Sequence, residues 1–130
     1  MIDFNCFDNN FFVKKLYPNG INSSIVISSV VASYRMHSEF NFIAYEKPSI
    51  EIKKWGVWGV DYNSVLFETS ANSSPIDLKI NNMKDIGRQI FNINKNTDGN
   101  IEVAQLSNDS NLYLVIDGLI IQKITPLKDC

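Results

Sequence analysis

The residues best equipped for chemistry in this chain are few and scattered. The only histidine, His37, stands two positions before Glu39 in Tyr34-Arg35-Met36-His37-Ser38-Glu39, a spacing that on a strand puts both side chains on one face, as an imidazole–carboxylate relay needs. Catalysis needs more than that pair, namely a nucleophile in an activating setting such as the Gly-x-Ser-x-Gly elbow, and none accompanies it. An exposed or edge-strand couple is the simpler reading. Carboxylates at Glu46, Glu51, Asp61, Glu68, Asp77 and Asp85 are dispersed; any two meeting across strands could act as a glycosidase-like acid and base, and nothing selects a pair. Zinc needs three or four clustered ligands, which one histidine and the distant Cys6 and Cys130 do not supply. Asp98, Asn100 and Glu102 share the alternation that opens a calcium loop but lack its twelve-residue frame and terminal glutamate. Gly56 and Gly59 do not form a phosphate-binding glycine pattern. No metal, no cofactor and no enzymatic activity are expected.

A chemistry of contact is better represented. Lys54-Trp55-Gly56-Val57-Trp58-Gly59-Val60-Asp61-Tyr62 holds both tryptophans and two glycines. An exposed tryptophan offers a rigid apolar body with one indole donor, suited to anchoring a partner or stacking on a base or sugar. The alternative is a pair of core-edge residues with glycines that permit a bend, which is the commoner fate of tryptophan in a small β domain. Both readings stay open. Basic residues interleave with these aromatics only at Lys53 and Lys54, so a platform for single-stranded nucleic acid is not expected.

At 130 residues, one domain spanning 1–130 should remove roughly two-thirds of its unfolded surface from water, enough for a core without staples. Hydrophobic residues at 45% and charged residues at 20% are ordinary globular values. A net charge of −2 gives no general attraction to nucleic acid or anionic lipid. Cys6 and Cys130 belong to no metal spacing and read as free thiols of a reducing compartment, with a bridge between the termini as the alternative. The start, Met1-Ile2-Asp3-Phe4-Asn5, lacks the basic and apolar regions of a signal peptide, and no run approaches the length of a membrane span. A cytoplasmic protein is expected. The 16 asparagines suit a chain that reverses often, because the short amide bonds nearby backbone and tolerates left-handed conformations; an AT-rich coding sequence would give the same excess. From Asp98 onward, Asp98, Glu102, Asp109, Asp117 and Asp129 outnumber Lys123 and Lys128. That bias could steer a basic partner or simply keep sheet edges solvated.

Placing these residues requires strands. One short helix is expected early, capped by Asp8, Asn9 or Asn10, with Phe12 and Leu16 one turn apart, ending before Pro18-Asn19-Gly20. From Ile25 the texture becomes β-branched and aromatic, predicting strands over 25–35, 39–45, 50–53, 64–69 and 76–80. Phe40, Phe42 and Ala44 alternate with Glu39, Asn41 and Ile43, and Ile76, Leu78 and Ile80 alternate with Asp77 and Lys79, so each strand should bury one face. Residues 86–125 read as antiparallel hairpins punctuated by Asp98-Gly99, the Asn108 to Asn111 cluster and Asp117-Gly118. Leu112-Tyr113-Leu114-Val115-Ile116 is apolar on both faces and predicts a central, covered strand. The expected fold is mainly β, with α+β at the margin: a two-layer antiparallel β-sandwich or partly closed barrel with a short N-terminal helix and a C-terminal β-meander.

A small β-rich chain carrying Tyr45-Glu46-Lys47-Pro48, the Trp55 to Tyr62 segment, Asp117-Gly118-Leu119-Ile120-Ile121 and Ile124-Thr125-Pro126-Leu127 resembles the bacterial immunity proteins of polymorphic toxin systems. Contact-dependent growth inhibition is the best-known such setting. The resemblance is one of overall texture, covers mostly residues 25–127 and transfers no functional residue. It implies a non-enzymatic inhibitor that binds a cognate toxin protein domain, often a nuclease, and blocks its active site or an accessory surface in the producing cell; no direct nucleic-acid or membrane partner is expected from the charge and composition. On that implication Trp55, Trp58 and Tyr62 are the expected anchors, with Glu51 and Asp61 or the acidic hairpins facing a basic nuclease. Two other classes fit the sequence: a small β-barrel enzyme that gathers His37 and carboxylates in a pocket, and a ligand-binding or assembly module of phage or secretion-system type.

Overall fold

Alternation of apolar and polar residues sorts the chain into two pleated layers. The computed structural model describes residues 1–82, 86–105 and 112–128. Among them are a helix α1 (Phe11–Leu16) and strands β1 (Ile25–Ala32), β2 (Ser38–Ala44), β3 (Ser64–Ala71), β4 (Asp77–Ile80), β5 (Arg88–Gln89), β6 (Phe91–Lys95), β7 (Ile101–Gln105), β8 (Leu112–Ile116) and β9 (Ile120–Leu127). They form two antiparallel sheets, ordered β5-β1-β2-β3-β9 and β4-β8-β7-β6, with no closed barrel. In β2, Ser38, Phe40, Phe42 and Ala44 are buried while the residues between them are half-exposed. Register pairs Phe42 with Phe67 and Ala44 with Val65, so the apolar rows of β2 and β3 lie side by side. The Phe42 and Phe67 rings stack with centroids 4.9 Å apart. Phe91, Ile93, Ile101, Val103, Leu112, Leu114 and Ile116 of the four-stranded sheet join the same core. Strand β8 lies between β4 and β7, the central position its two apolar faces predict.

Where local signals and observed elements part, tertiary pairing decides. The Asp98-Gly99 turn does close the β6–β7 hairpin, but as a longer loop than a two-residue turn. The Asn96 N–H donates to Asn100 O at 2.8 Å, the Gly99 N–H to Asn96 O at 3.1 Å, and the Asn96 side-chain oxygen accepts from the N–H groups of Asp98 and Asn100. Only Gly99 of the central residues takes a positive φ, +82°, as in a three-residue loop with glycine at its left-handed position. Asp117-Gly118, expected as a hairpin, instead carries the chain from β8 in one sheet to β9 beside β3 in the other. The seven-pair ladder of β9 with β3 overrides the dipeptide. The meander is therefore β6-β7-β8. The Asn108 to Asn111 turn lies outside the described residues. The strand expected over 50–53 does not form: exposed Ile50 and Glu51 lead into a 3-10 turn, Lys53–Trp55. The segment passes α1, where the Ser49 N–H donates to Leu16 O at 2.7 Å. In α1 the buried positions are Val13 and Leu16, which leaves Phe11 and Phe12 turned outward. Asn10 holds the N-cap position, but its amide donates to Phe4 O and Phe7 O at 3.0 and 2.9 Å instead of accepting from the helix.

The N-terminal residues form a strap that the sequence reading did not anticipate. Ile2 bridges Ile21 and Ile93, and Asp8 bridges Ile120. The strap thus hydrogen-bonds to β6 and to the start of β9, covering sheet edges that would otherwise offer unpaired backbone. Its Ile2, Phe4, Cys6 and Phe7 are buried. The Cys6 thiol is free and donates to Asp3 O at 2.9 Å. Burial, then the nearby Asp3 charge, pushes it up to about 12, so it is an inert core thiol. Cys130 lies outside the described residues.

Candidate functional site

Residues 53–62 build a rigid loop whose geometry begins with one glycine. The 3-10 turn ends at Trp55, and Gly56 follows at φ +87°, ψ −148°, a region open essentially to glycine alone. The Asp61 carboxylate then closes the loop by accepting the Val57 N–H at 2.7 Å. The N–H groups of Val60 and Asp61 donate to Val57 O, and the Gly59 N–H donates to Tyr62 O at 2.7 Å. From β9's end the Lys128 ammonium donates to Val60 O at 2.8 Å. A Cβ at Gly56 would run into the Asp61 carboxylate. Gly56→Ala is therefore expected to destabilise the protein by roughly 1–3 kcal/mol, read as a lower urea midpoint at unchanged slope; a change under about 0.5 kcal/mol would show that the loop is not held this way.

Four aromatic rings run across this loop. Trp55 and Trp58 each meet Tyr62 edge to face, at centroid distances of 5.7 and 5.3 Å, and Phe12 from α1 meets Trp55 at 6.2 Å in the same manner. Tyr62 is only 3% exposed. Burial and the Glu51 charge raise its phenol pKa, which keeps it neutral. The two tryptophans pack against the core and stay half-exposed, the core-edge placement, with part of each indole left accessible. Beside them Phe11, Val57 and Val60 are 75%, 53% and 62% exposed. The result is an apolar ledge joining α1 to the 53–62 loop.

Of the five sequence-predicted contact residues, the structure gathers all in this region and gives them different parts. Trp55 and Trp58 form the ledge, and Tyr62 is the floor beneath them. Asp61 is committed to its own loop, and Glu51 remains exposed. Phe11, Phe12, Val57 and Val60 are not expected as contact residues from the sequence, where Phe12 belongs to the helix's apolar spacing, whereas Val13 and Leu16 are the buried positions; the one available signal is a Phe-Phe pair opening a helix too short to bury both. His37 and Glu39 lie elsewhere, at the β1–β2 hairpin, half-exposed and 3.9 Å apart. Glu39 and Glu68 line a shallow polar hollow on the five-stranded sheet together with Lys123, and His37 is not among its lining residues.

Set against protein-family models, curated proteins and solved structures, the chain matches none. Its function is read from the ledge. Among the described residues no group of three or more His, Cys, Asp or Glu could hold a metal ion, and no helix is long and apolar enough to cross a membrane.

Proposed function

We propose that this protein is an immunity protein, which binds a cognate bacterial toxin domain through the aromatic ledge and neutralises it in the producing cell. The carrying observation is the run Phe12–Trp55–Tyr62–Trp58, flanked by exposed Phe11, Val57 and Val60, on a loop fixed by its own hydrogen bonds. Exposed apolar patches of this kind mark interaction surfaces, and tryptophan is enriched among the residues that dominate binding energy. A loop already held in one shape loses little entropy on docking. The toxin as partner, with a nuclease as its expected class, comes from the resemblance to immunity proteins of polymorphic toxin systems. The test is co-expression with the toxin domain encoded beside its gene. Rescue of growth and a one-to-one complex of nanomolar affinity, about −12 kcal/mol, are expected. A toxin that kills regardless and forms no complex overturns the reading.

A further inference from the structure

The ledge has the opposite charge to the chain that carries it. Helix α1 has no acidic residue in its first turn, and its Lys15 ammonium sits 4.4 Å above the Phe11 ring, which fixes a cation at the ledge's border; Lys14 lines a separate hollow with Asp3, Tyr17 and Gly20. Lys53 and Lys54, both exposed, immediately precede Trp55. Lys128 reaches Val60. Against Lys15, Lys53, Lys54 and Lys128 stand, among the described residues, two carboxylates at the ledge: Asp61, which accepts the Val57 N–H, and Glu51. The ledge is therefore positive while the whole chain carries −2.

We infer that the surface recognised by this ledge is acidic: an apolar contact area on the toxin domain, bordered by aspartate and glutamate side chains. This rests on the proposed immunity function and reverses the charge pattern expected from Glu51 and Asp61. Lysines around an aromatic centre match the anatomy of an interface, in which the centre is desolvated and the polar rim steers encounter. A basic groove meeting them would be repelled. Nucleic-acid-binding grooves are basic because they neutralise phosphates, so a nuclease held here is held outside its groove, by an acidic face.

Charge reversal tests this on the purified complex. Lys53→Glu with Lys54→Glu, and separately Lys15→Glu with Lys128→Glu, are exposed changes, and thermal unfolding of each variant alone checks that the fold persists. Each pair is expected to weaken the complex by about tenfold or more, chiefly through slower association, and added sodium chloride should slow association of the unmodified protein. Unchanged or tighter binding by both pairs, with the unmodified complex intact, overturns the acidic-partner inference and leaves the immunity reading standing. Absence of any complex with the unmodified protein overturns both. Sedimentation of the protein with phosphatidylglycerol vesicles, lost in the same variants while the complex is unaffected, would reassign the ledge to a lipid surface and likewise overturn the inference.

Discussion

Replacing Trp55 and Trp58 together by alanine is expected to weaken the proposed toxin complex by roughly a hundredfold or more. Desolvated tryptophan anchors typically contribute about 2 kcal/mol or more each on truncation. Their effects should fall short of simple addition, because both indoles lean on one ring, Tyr62. Part of the loss must be separated from folding, since both side chains also pack against the core. Half-exposed as they are, they should cost the isolated protein about 1–3 kcal/mol together, below the full price of a buried indole. Isothermal titration of the complex and urea unfolding of the free protein measure the two quantities independently. Phe11→Ser supplies the cleaner comparison: its ring is 75% exposed and touches the Lys15 ammonium, so stability should move by no more than about 0.5 kcal/mol while affinity falls. Full affinity in the double alanine variant would remove the ledge from the interface.

Fold and site were legible in the sequence to different depths, for different reasons. Strand β2 could be read because its period-two pattern coincides with one buried face, and β8 because apolar residues on both faces demand cover on both. The destination of β9 could not, because an Asp-Gly dipeptide reports local turn preference whereas its ladder with β3 depends on residues some 55 positions away. The strap did carry a signal in its apolar Ile2, Phe4 and Cys6, all buried, but not of its form: Ile2 and Asp8 bridge sheet strands while Phe4–Cys6 between them is a 3-10 turn. In the site, Trp55 and Trp58 stand out by residue type. Phe11 and the lysines do not, since their meaning arises only where the fold sets α1 against a loop some 40 residues further on. Asp61 has a part that its residue type did not disclose, since its carboxylate closes its own loop by accepting the Val57 N–H.

The second large effect is expected in the core, where Phe67→Ala should destabilise the protein by about 3–5 kcal/mol, a large fraction of the roughly 5–15 kcal/mol that holds a domain together. Phe67 is fully buried on β3, between β2 and β9. Its ring stacks on Phe42 of β2 and lies 5.4 Å from Phe4 of the strap and 5.9 Å from Tyr17, which ends α1. One side chain thus joins sheet, strap and helix. The void left by its removal is hard to close, because Tyr17 is tethered by its hydroxyl donating to Glu46 O at 2.8 Å and Phe42 is held in register on its own strand. Phe67→Leu, which keeps most of the volume, should cost distinctly less. The ledge depends on this packing as well, since α1, the element that presents Phe11 and Phe12, is seated through Tyr17. In the proposed complex, affinity should therefore fall in Phe67→Ala under conditions that partly unfold it and recover at lower urea, a dependence that direct loss of a contact residue would not show. A loss of stability below about 1 kcal/mol by urea unfolding would mean that Phe67 does not join these elements.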